Sequence, residues 1–417
     1  MDKSNVGDLN RPEDSKSDPL SELVREGAKR IIQEAVEIEI ECFIEEYRNR
    51  TLEDGKQRVI RNGYLPVRNI TTGVGDVSVK VPRARDKLRM DGNDPVQFQS
   101  AIVPKYLRKT KNLEELIPFL YLKGISAGDM SEALEALVGK DAKGFSQPVV
   151  SKLKRKWKGE FESWKKRDLG KKRYVYLWVD GIHLNVRMDD KQCVLVVIGA
   201  TEDGRKELLT VEGGYRESTQ SWREVLLNLR ERGLVNDPEL AIGDGALGFW
   251  KAITEVYPET KGQRCWVHKT ANILNKLPKN AQANAKEKIH DIWMAEQKKD
   301  AVKAIDHFVR TYEAKYPKAV ATLNRDQGRL LTFYDFPAEH WRHIRTTNPI
   351  ESTFATVRLR TAKVRNCFSR ETVLNMTFKL CHSAEKRWQK LFGYRRLAEV
   401  IEGIQFVDGI SEKELAA

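Results

Sequence analysis

Three acidic residues have the type and position needed to bind metal ions: Asp180, Asp244 and Glu351. Asp180 interrupts an apolar run, LWVDG, where a carboxylate costs desolvation energy unless a positive group holds it. Asp244 ends the run LAIGDG just before a predicted helix, and functional groups emerge at such strand ends in open α/β sheets. Glu351 lies in the first turn of a predicted helix, where its charge suits the helix dipole. Any one of these acids alone is more often structural, so the prediction depends on the triplet.

Three carboxylates that converge on one sheet edge predict a site for two Mg²⁺ or Mn²⁺ ions. Hard divalent cations prefer oxygen ligands, and Mg²⁺ keeps part of its shell for water and phosphate. Two such ions roughly 3.5–4 Å apart stabilise the attacking and the leaving oxygen of a displacement at phosphorus. The predicted chemistry is phosphoryl transfer, with water or a DNA 3′-hydroxyl as nucleophile and no covalent protein intermediate.

The segments that position these acids are predicted to form a mixed α/β domain, from β-branched and aromatic enrichment and from apolar periodicity. The predicted order is a strand over 173–187, a strand over 193–204, a strand over 207–214, a helix over 221–234, a strand over 239–245, a helix over 246–258 and a short strand over 263–269. This is the order of the ribonuclease H-like fold, a mixed sheet flanked by helices.

Composition and apolar periodicity divide the whole chain into six predicted regions. The predicted division is a disordered leader over 1–19, a helix with a small β region over 20–110, a helix–turn–helix-like DNA-binding region over 111–170, the first part of the ribonuclease H-like core over 171–269, an all-helical insertion over 270–345, and the last part of the core with C-terminal helices over 346–417.

Basic residues cluster on two predicted helices. The second helix of the helix–turn–helix-like region carries Lys152, Lys154, Arg155, Lys156 and Lys158. The helix after Glu351 carries Arg358, Arg360, Lys363 and Arg365. Both clusters predict contact with a DNA backbone. An ordinary helical hairpin and a solvated basic face are the alternatives.

The composition fits a DNA-binding protein without proving one. The chain has 417 residues, 73 Lys and Arg against 60 Asp and Glu, and a formal net charge of +13, which favours a polyanionic partner. Its five cysteines are scattered, so a disulfide framework is not expected. No stretch approaches the ~20 apolar residues of a membrane helix. We therefore expect a cytoplasmic protein that acts on DNA, bound to the nucleoid while it does so.

Several sequence blocks together resemble the mutator-type transposases of bacterial insertion sequences, from about residue 20 to about residue 395. The blocks are RNGY at 61–64, VPRAR at 81–85, YLKGIS at 121–126, YLWVDGIHLNVR at 176–187, AIGDGALGFWKAI at 241–253, QRCWVHKTANIL at 263–274 and FYDFPAEHWRHIRTTNPIES at 333–352.

The resemblance implies roles for particular residues. The family's Asp-Asp-Glu triad falls on Asp180, Asp244 and Glu351, and its Cys-x-x-His signature falls on Cys265 and His268. It also implies a ribonuclease H-like core with a helical insertion, binding to terminal inverted repeats, and at least a dimer, since two DNA ends must be held together.

Cys265 and His268 have two interpretations. They are expected near the active site, in a structural role or in contact with DNA. As an alternative, they form half of a zinc site with Cys381 and His382 as remote partners. His183, three residues after Asp180, should face the other side of its strand and is interpreted as structural.

Three functional hypotheses follow. The first is a transposase that cleaves DNA and transfers the 3′ end to a target. The second is a ribonuclease H-like nuclease without strand transfer. The third is a domesticated or inactive sequence-specific DNA-binding protein, for which loss of a carboxylate would be the sign.

Overall fold

The computed structural model describes residues 19–87, 96–123, 125, 132–133, 147–185, 191–214, 217–245, 247–362 and 369–416. The chain divides into two compact units, Met1–Ser151 and Lys152–Ala417. Residues 1–18 of the predicted leader lie outside the described residues, and its last residue, Pro19, begins a helix. Most of the first helix of the predicted helix–turn–helix also lies outside the described residues.

The N-terminal unit packs one long helix on two small hairpin-like sheets. Its elements are α1 (Pro19–Glu46), β1 (Val59–Tyr64), β2 (Arg68–Thr72), β3 (Gly75–Val79), β4 (Pro82–Asp86) and α2 (Lys111–Lys123). β1 pairs with β4 and β2 pairs with β3, both antiparallel. Val77, Val79 and Val81 alternate with polar residues and bury their side chains against Val36 of α1, as a strand with one apolar face should.

A long helix, α3 (Gln147–Lys165), leads into the second unit. Within that unit it buries Trp157 and Phe161, which are one helical turn apart. Phe161 packs on Phe378 with ring centroids 5.0 Å apart.

A five-stranded mixed sheet forms the centre of the second unit. Its strands are β5 (Tyr174–Asn185), β6 (Lys191–Thr201), β7 (Lys206–Gly214), β8 (Leu240–Gly243) and β9 (Lys261–Arg264), in the order β7-β6-β5-β8-β9. β5, β6 and β7 form an antiparallel meander, whereas β8 pairs parallel with β5 and β9 pairs parallel with β8. The two parallel strands follow helices because a parallel neighbour needs a crossover connection.

The crossover helices cover one face of this sheet. They are α4 (Thr219–Glu231) and α5 (Leu247–Val256). Trp222 and Leu226 of α4 and Phe249 of α5 bury against Leu177 and Val179 of β5. Both faces of β5 are buried, which explains why its sequence is an apolar run rather than an alternation.

Every described element between β9 and Asn348 is helical. The elements are α6 (Trp266–Leu274), α7 (Lys279–Met294), α8 (Lys298–Tyr312), α9 (Pro317–Asn324), α10 (Gln327–Leu330), two 3₁₀ turns (Thr332–Asp335 and Ala338–His340) and α11 (Trp341–Ile344). One prediction is wrong here. The short strand expected over 263–269 ends at Arg264, and Trp266 begins a helix, because Cys265 occupies the N-cap position.

The chain then returns to the sheet. The last elements are α12 (Asn348–Ala362), α13 (Arg370–Glu385), α14 (Leu397–Ile401), β10 (Phe406–Val407), β11 (Ile410–Ser411) and α15 (Glu412–Leu415). α12 packs against β5 and α13 against β7. The small β10–β11 hairpin is not predicted, although Asp408 and Gly409 both have positive φ, as a two-residue hairpin turn requires. None of the described helices is long and apolar enough to cross a membrane.

Candidate active site

Asp180, Asp244 and Cys265 lie side by side across the sheet, on β5 and directly after β8 and β9. In the parallel register, Val179 of β5 lies beside Gly243 of β8, and Gly243 lies beside Arg264 of β9. The next residues along these strands are Asp180, Asp244 and Cys265. Because β8 and β9 stop here while β5 continues to Asn185, the side of β5 beyond Asp180 is not paired by β8.

Asp180 is a buried carboxylate with little compensation from hydrogen bonds. Its side chain accepts a hydrogen bond from the backbone N–H of Gly181, at 2.8 Å, and the residue is 8% exposed. Burial raises the pKa of Asp180 to about 7, and the charges of Glu217 and Asp244 add to the increase, while His268 opposes it. A cation at this position would therefore stabilise the charged form.

Asp244 is more open to solvent than Asp180. Its Oδ1 accepts a hydrogen bond from the N–H of Gly245 at 2.5 Å and lies 3.7 Å from Nη2 of Arg264. About a third of its side chain is exposed, at the start of a cavity described below. In both aspartates the following backbone N–H binds Oδ1, so Oδ2 remains for another ligand.

Glu351 reaches the same place from the first turn of α12. Its Oε1 accepts a hydrogen bond from the hydroxyl of Thr347 at 2.8 Å and lies 3.8 Å from both Sγ of Cys265 and Nδ1 of His268. Thr347 also donates its backbone N–H to Sγ of Cys265, at 3.3 Å. The start of α12 is thereby tied to the end of β9.

His268 connects the glutamate to the two aspartates. Burial alone would lower its pKa, but a hydrogen bond with Cys265 and the charges of Asp244 and Asp180 raise the pKa of His268 to about 9. Nδ1 of His268 also lies 3.5 Å from the hydroxyl of Thr347, which holds Glu351. Charge interactions thus join His268 to Asp180 and Asp244, and a 3.8 Å approach joins it to Glu351. Among the described residues, the ligand atoms that lie within 4.8 Å of one another here are those of Cys265, His268 and Glu351, and the two aspartates are outside that group.

The partners of Cys265 and His268 do not match the zinc alternative. Among the described residues, their potential ligand atoms group with Glu351, within 4.8 Å of one another. Cys381 is instead fully buried in α13, where burial raises its pKa to about 12. His382 forms a hydrogen bond with Glu385, with 2.8 Å between Nδ1 and Oε2. The helical start at Trp266 explains the difference, because it places positions 265 and 268 one turn apart beside α12.

A fourth carboxylate, Glu217, stands beside the site and was missed by the sequence analysis. It follows β7, immediately before the N-cap Ser218 of α4. Burial raises its pKa, His183 opposes the rise and Asp244 adds to it. His183, interpreted as structural, is exposed and has its Nε2 3.4 Å from Oε1 of Glu217. In the sequence, Glu217 is an acidic residue next to a helix-cap residue after a predicted strand. This pattern is common at positions that have no functional role.

An ion-pair network lies under the site. Arg264, beside Asp244, also binds Asp326, from the turn before α10. Asp326 binds Nζ of Lys269 at 2.9 Å, and Lys269 is only 1% exposed. One aspartate therefore holds two almost fully buried cations and connects the helical segment to β9 and α6.

The described members of the predicted DNA-binding set lie on two helices, α3 and α12. On α3, Lys152, Arg155, Lys156 and Lys158 are exposed and Lys154 is half-buried. Lys158 pairs with Glu371, at 2.5 Å. Arg358 is exposed on α12 and Arg360 lies on the same helix, while Lys363 and Arg365 lie outside the described residues.

Comparison with known proteins decides the family. The sequence model of the Mutator family transposases matches residues 2–391 of the chain. The chain belongs to the Mutator family of transposases. The resemblance seen in the sequence blocks is thus confirmed over nearly the whole length.

Relatives of this family member carry the names of insertion-sequence transposases. The transposase for insertion sequence element IST2 of Acidithiobacillus ferrooxidans is 52% identical over 67% of this chain and 95% of the relative. The transposase for insertion sequence element IS6120 of Mycolicibacterium smegmatis is 49% identical over 71% of this chain and 92% of the relative.

A solved structure of a viral intasome matches part of this chain. The simian T-cell lymphotropic virus intasome, in complex with a PP2A regulatory subunit B56 gamma, is 11% identical and covers 37% of this chain and 49% of its own. Its TM-score of 0.17 carries no argument about the fold.

Proposed function

We propose that this protein is the transposase of an insertion sequence and that it cleaves DNA and transfers the 3′ end to a target by phosphoryl transfer. The observation that supports the proposal is the placement of Asp180 and Asp244 side by side on β5 and after β8, with Glu351 on the helix that packs against β5 and His268 between them. Family membership and the names of the relatives give the reaction class.

The donor chemistry of Asp180, Asp244 and Glu351 suits two divalent cations. Their ligand atoms are carboxylate oxygens, which suit Mg²⁺ or Mn²⁺. Asp180 is buried near Asp244 and Glu217, so its charge is poorly compensated by protein groups. We assign the ion-binding role to Asp180, Asp244 and Glu351. Bound ions would activate the attacking oxygen and stabilise the leaving oxygen at phosphorus.

The chain's own groups keep the carboxylates in place. The N–H groups of Gly181 and Gly245 each bind one oxygen of the preceding aspartate. The Thr347 hydroxyl holds Oε1 of Glu351. We assign His268 to the phosphate that is cut, since its Nδ1 lies 3.8 Å from Oε1 of Glu351 and 3.5 Å from the hydroxyl of Thr347.

The connectivity supports a ribonuclease H-like core. An antiparallel meander of three strands followed by two parallel strands, each entered through a helix, is the order that the sequence analysis associates with that fold. The helical segment then lies between Asp244 and Glu351, as an insertion in such a core would.

We further propose that α3 and α12 contact DNA, that α3 belongs to the region that binds terminal inverted repeats, and that the active form is at least a dimer. The exposed basic residues of α3 support its contact with DNA, because their positive charges are accessible to a phosphate backbone. The need to hold two DNA ends together supports the dimer.

The test is cleavage of DNA that carries the element's ends, with Mg²⁺ or Mn²⁺. Asp180→Asn, Asp244→Asn and Glu351→Gln should each abolish cleavage and leave end binding within about 2-fold. Asp306→Asn, an exposed position on α8, is the control.

Full cleavage by any of the three variants would remove that residue from the triad. A wild-type protein that binds the ends and cuts nothing would instead be a DNA-binding regulator. One that cuts and cannot join pre-cleaved ends to a target would be a nuclease without strand transfer.

A further inference from the structure

A polar cleft leads away from Asp244 between α6 and α9. It consists of two adjoining cavities, of about 360 Å³ at the Asp244 end and about 290 Å³ beyond it. The two cavities share four lining residues: Arg264, Asn272, Arg325 and Asp326. These volumes are near the lower limit of ordinary ligand pockets, about 300–1,000 Å³. Each has room for a nucleotide-sized group, and neither has room for a duplex.

The charge of the lining changes sign along the cleft. At the Asp244 end, three acidic side chains (Glu217, Asp244 and Asp326) face two basic ones. In the far cavity, four basic side chains line the wall with Asp326 as the one acid among the described lining. A cation is favoured at the first end and an anion at the second.

Part of this lining is held rigidly by protein contacts, and part is open to a ligand. Asp326 binds the buried Arg264 and Lys269, so these three form a fixed inner wall. Arg325 and Lys276 are exposed at the rim, and Asn272 is half-buried on α6 between the two cavities. The exposed cations are the groups able to contact an anion that enters from solvent.

We propose that this cleft holds the DNA strand next to the phosphate that is cut. The reacting phosphate lies at the Asp244 end, and the neighbouring phosphate of the same strand binds Arg325 and Lys276. Asn272 donates to the sugar or base between them. The inference rests on the proposed cleavage of DNA and adds to it the path of the strand.

Two exposed arginines of the helical segment allow a matched comparison. Arg325→Ala should lower the cleavage rate by about 10-fold to 100-fold, the effect of losing one hydrogen bond to a charged group. Arg310→Ala, an exposed arginine of α8 outside the lining of both cavities, should leave the rate unchanged. Arg325→Lys should recover part of the rate, and thermal melting checks that each variant folds.

A neutral methylphosphonate placed next to the scissile phosphate makes the test specific. It should slow wild-type protein at least as much as Arg325→Ala does, because it weakens the contacts of both Arg325 and Lys276. It should slow Arg325→Ala by a smaller factor than it slows wild type, because that variant has already lost one of the two contacts. Suppose that wild type cleaves and that the methylphosphonate slows Arg325→Ala by the same factor as wild type. The assignment of this cleft is then wrong, while the proposed active site is unaffected. If wild type cleaves no DNA with its own ends, the proposed function fails and this inference with it.

A free nucleotide offers the same phosphate chemistry as a DNA strand. Deoxyadenosine monophosphate is therefore added to the cleavage reaction. Inhibition of wild type at micromolar concentration, lost in Arg325→Ala, would assign the cleft to a free nucleotide and overturn the strand path. No inhibition at that concentration is the result expected for a site that recognises the phosphate as part of a strand.

Discussion

At the scale of single residues, the glycines that follow Asp180 and Asp244 have a physical reason. A Cβ on Gly181 would overlap the carboxyl group of Glu217, and a Cβ on Gly245 would overlap the guanidinium of Arg264. Each Asp-Gly pair therefore makes room for a charged neighbour of the site. Gly181 does not form a turn, because it lies within β5.

We predict that Glu217→Gln lowers the cleavage rate by about 10-fold or more and raises the Mg²⁺ concentration that gives half the maximal rate. The reason is that Glu217 contributes negative charge beside Asp180 and Asp244, and a neutral amide attracts a divalent cation less. The measurement is a Mg²⁺ titration of cleavage.

Glu224→Gln, on the exposed side of α4, provides the comparison for Glu217. An unchanged Mg²⁺ requirement in Glu217→Gln, with a rate equal to that of Glu224→Gln, would show that Glu217 has no part in the site.

At the scale of elements, the helical segment is fastened to the sheet by a charge network as well as by apolar packing. Asp326, just before α10, binds Arg264 at the end of β9 and Lys269 on α6. Trp266 adds a neutral contact, since its Nε1 donates to the carbonyl of Leu330 at 2.9 Å. The position of α6, which carries His268, depends on this connection.

Asp326→Asn should therefore destabilise the protein strongly. Removing one partner of a buried ion pair costs about 3–5 kcal/mol, because the remaining charges stay buried without compensation. The free energy of unfolding, measured with urea, should fall by that amount. Asp300→Asn breaks an exposed pair with Lys303 and should cost less than about 1 kcal/mol. Equal losses in the two variants would contradict the account.

The basic face of α3 gives a second prediction at this scale. Lys152→Ala and Lys156→Ala change exposed residues on the side away from the buried Trp157 and Phe161. Each should weaken DNA binding and reduce the slope of log K against log salt by about 1, as expected for one phosphate contact.

Affinity measured between low and moderate salt checks the prediction for α3. Lys318→Ala, an exposed lysine on α9, serves as the reference. A slope unchanged in both α3 variants would mean that these lysines are solvated and that DNA binds elsewhere.

At the scale of the whole second unit, two neutral histidines join distant segments. Nδ1 of His340 accepts from the hydroxyl of Tyr176 in β5 at 2.8 Å, and its Nε2 donates to the carbonyl of Gly393 at 2.9 Å. His343 accepts from the N–H of Phe392 at 3.0 Å. Burial lowers the pKa of each histidine to about 4, so folding favours the neutral form.

This arrangement predicts that stability falls in mild acid. In the unfolded chain a histidine titrates at about 6.5, so the unfolded state takes up protons first as the pH falls. The stabilisation is complete above about pH 6.5 and is lost progressively toward pH 4, by roughly 1 kcal/mol per pH unit for each histidine. Melting temperatures between pH 7.5 and pH 5 measure this loss.

Substitution identifies the groups responsible for the acid sensitivity. His340→Gln and His343→Gln should each flatten the decline of melting temperature with pH, whereas His290→Gln, an exposed position on α7, should leave it as in wild type. Parallel curves for all four proteins would place the acid sensitivity in other groups.

Local sequence determined much of this protein. Apolar runs and their turns predicted β5 to β8, and the Asp244 and Glu351 positions followed from a strand end and a helix start. These features depend on neighbours a few residues apart, which set strand alternation and capping. The sequence blocks also carried the family, because a long ordered set of motifs is specific even where each motif is weak.

Contacts between residues far apart in the chain decided the rest. Glu217 joins the site because the chain that follows β7 places its carboxyl group against Gly181 of β5. Arg264 and Asp326 meet although 62 residues separate them. Thr347 likewise contacts Cys265, at the junction of β9 and α6, from 82 residues away. Such pairings leave no local periodicity, because their energy comes from burial and charge in the assembled fold, so only the tertiary structure could show them.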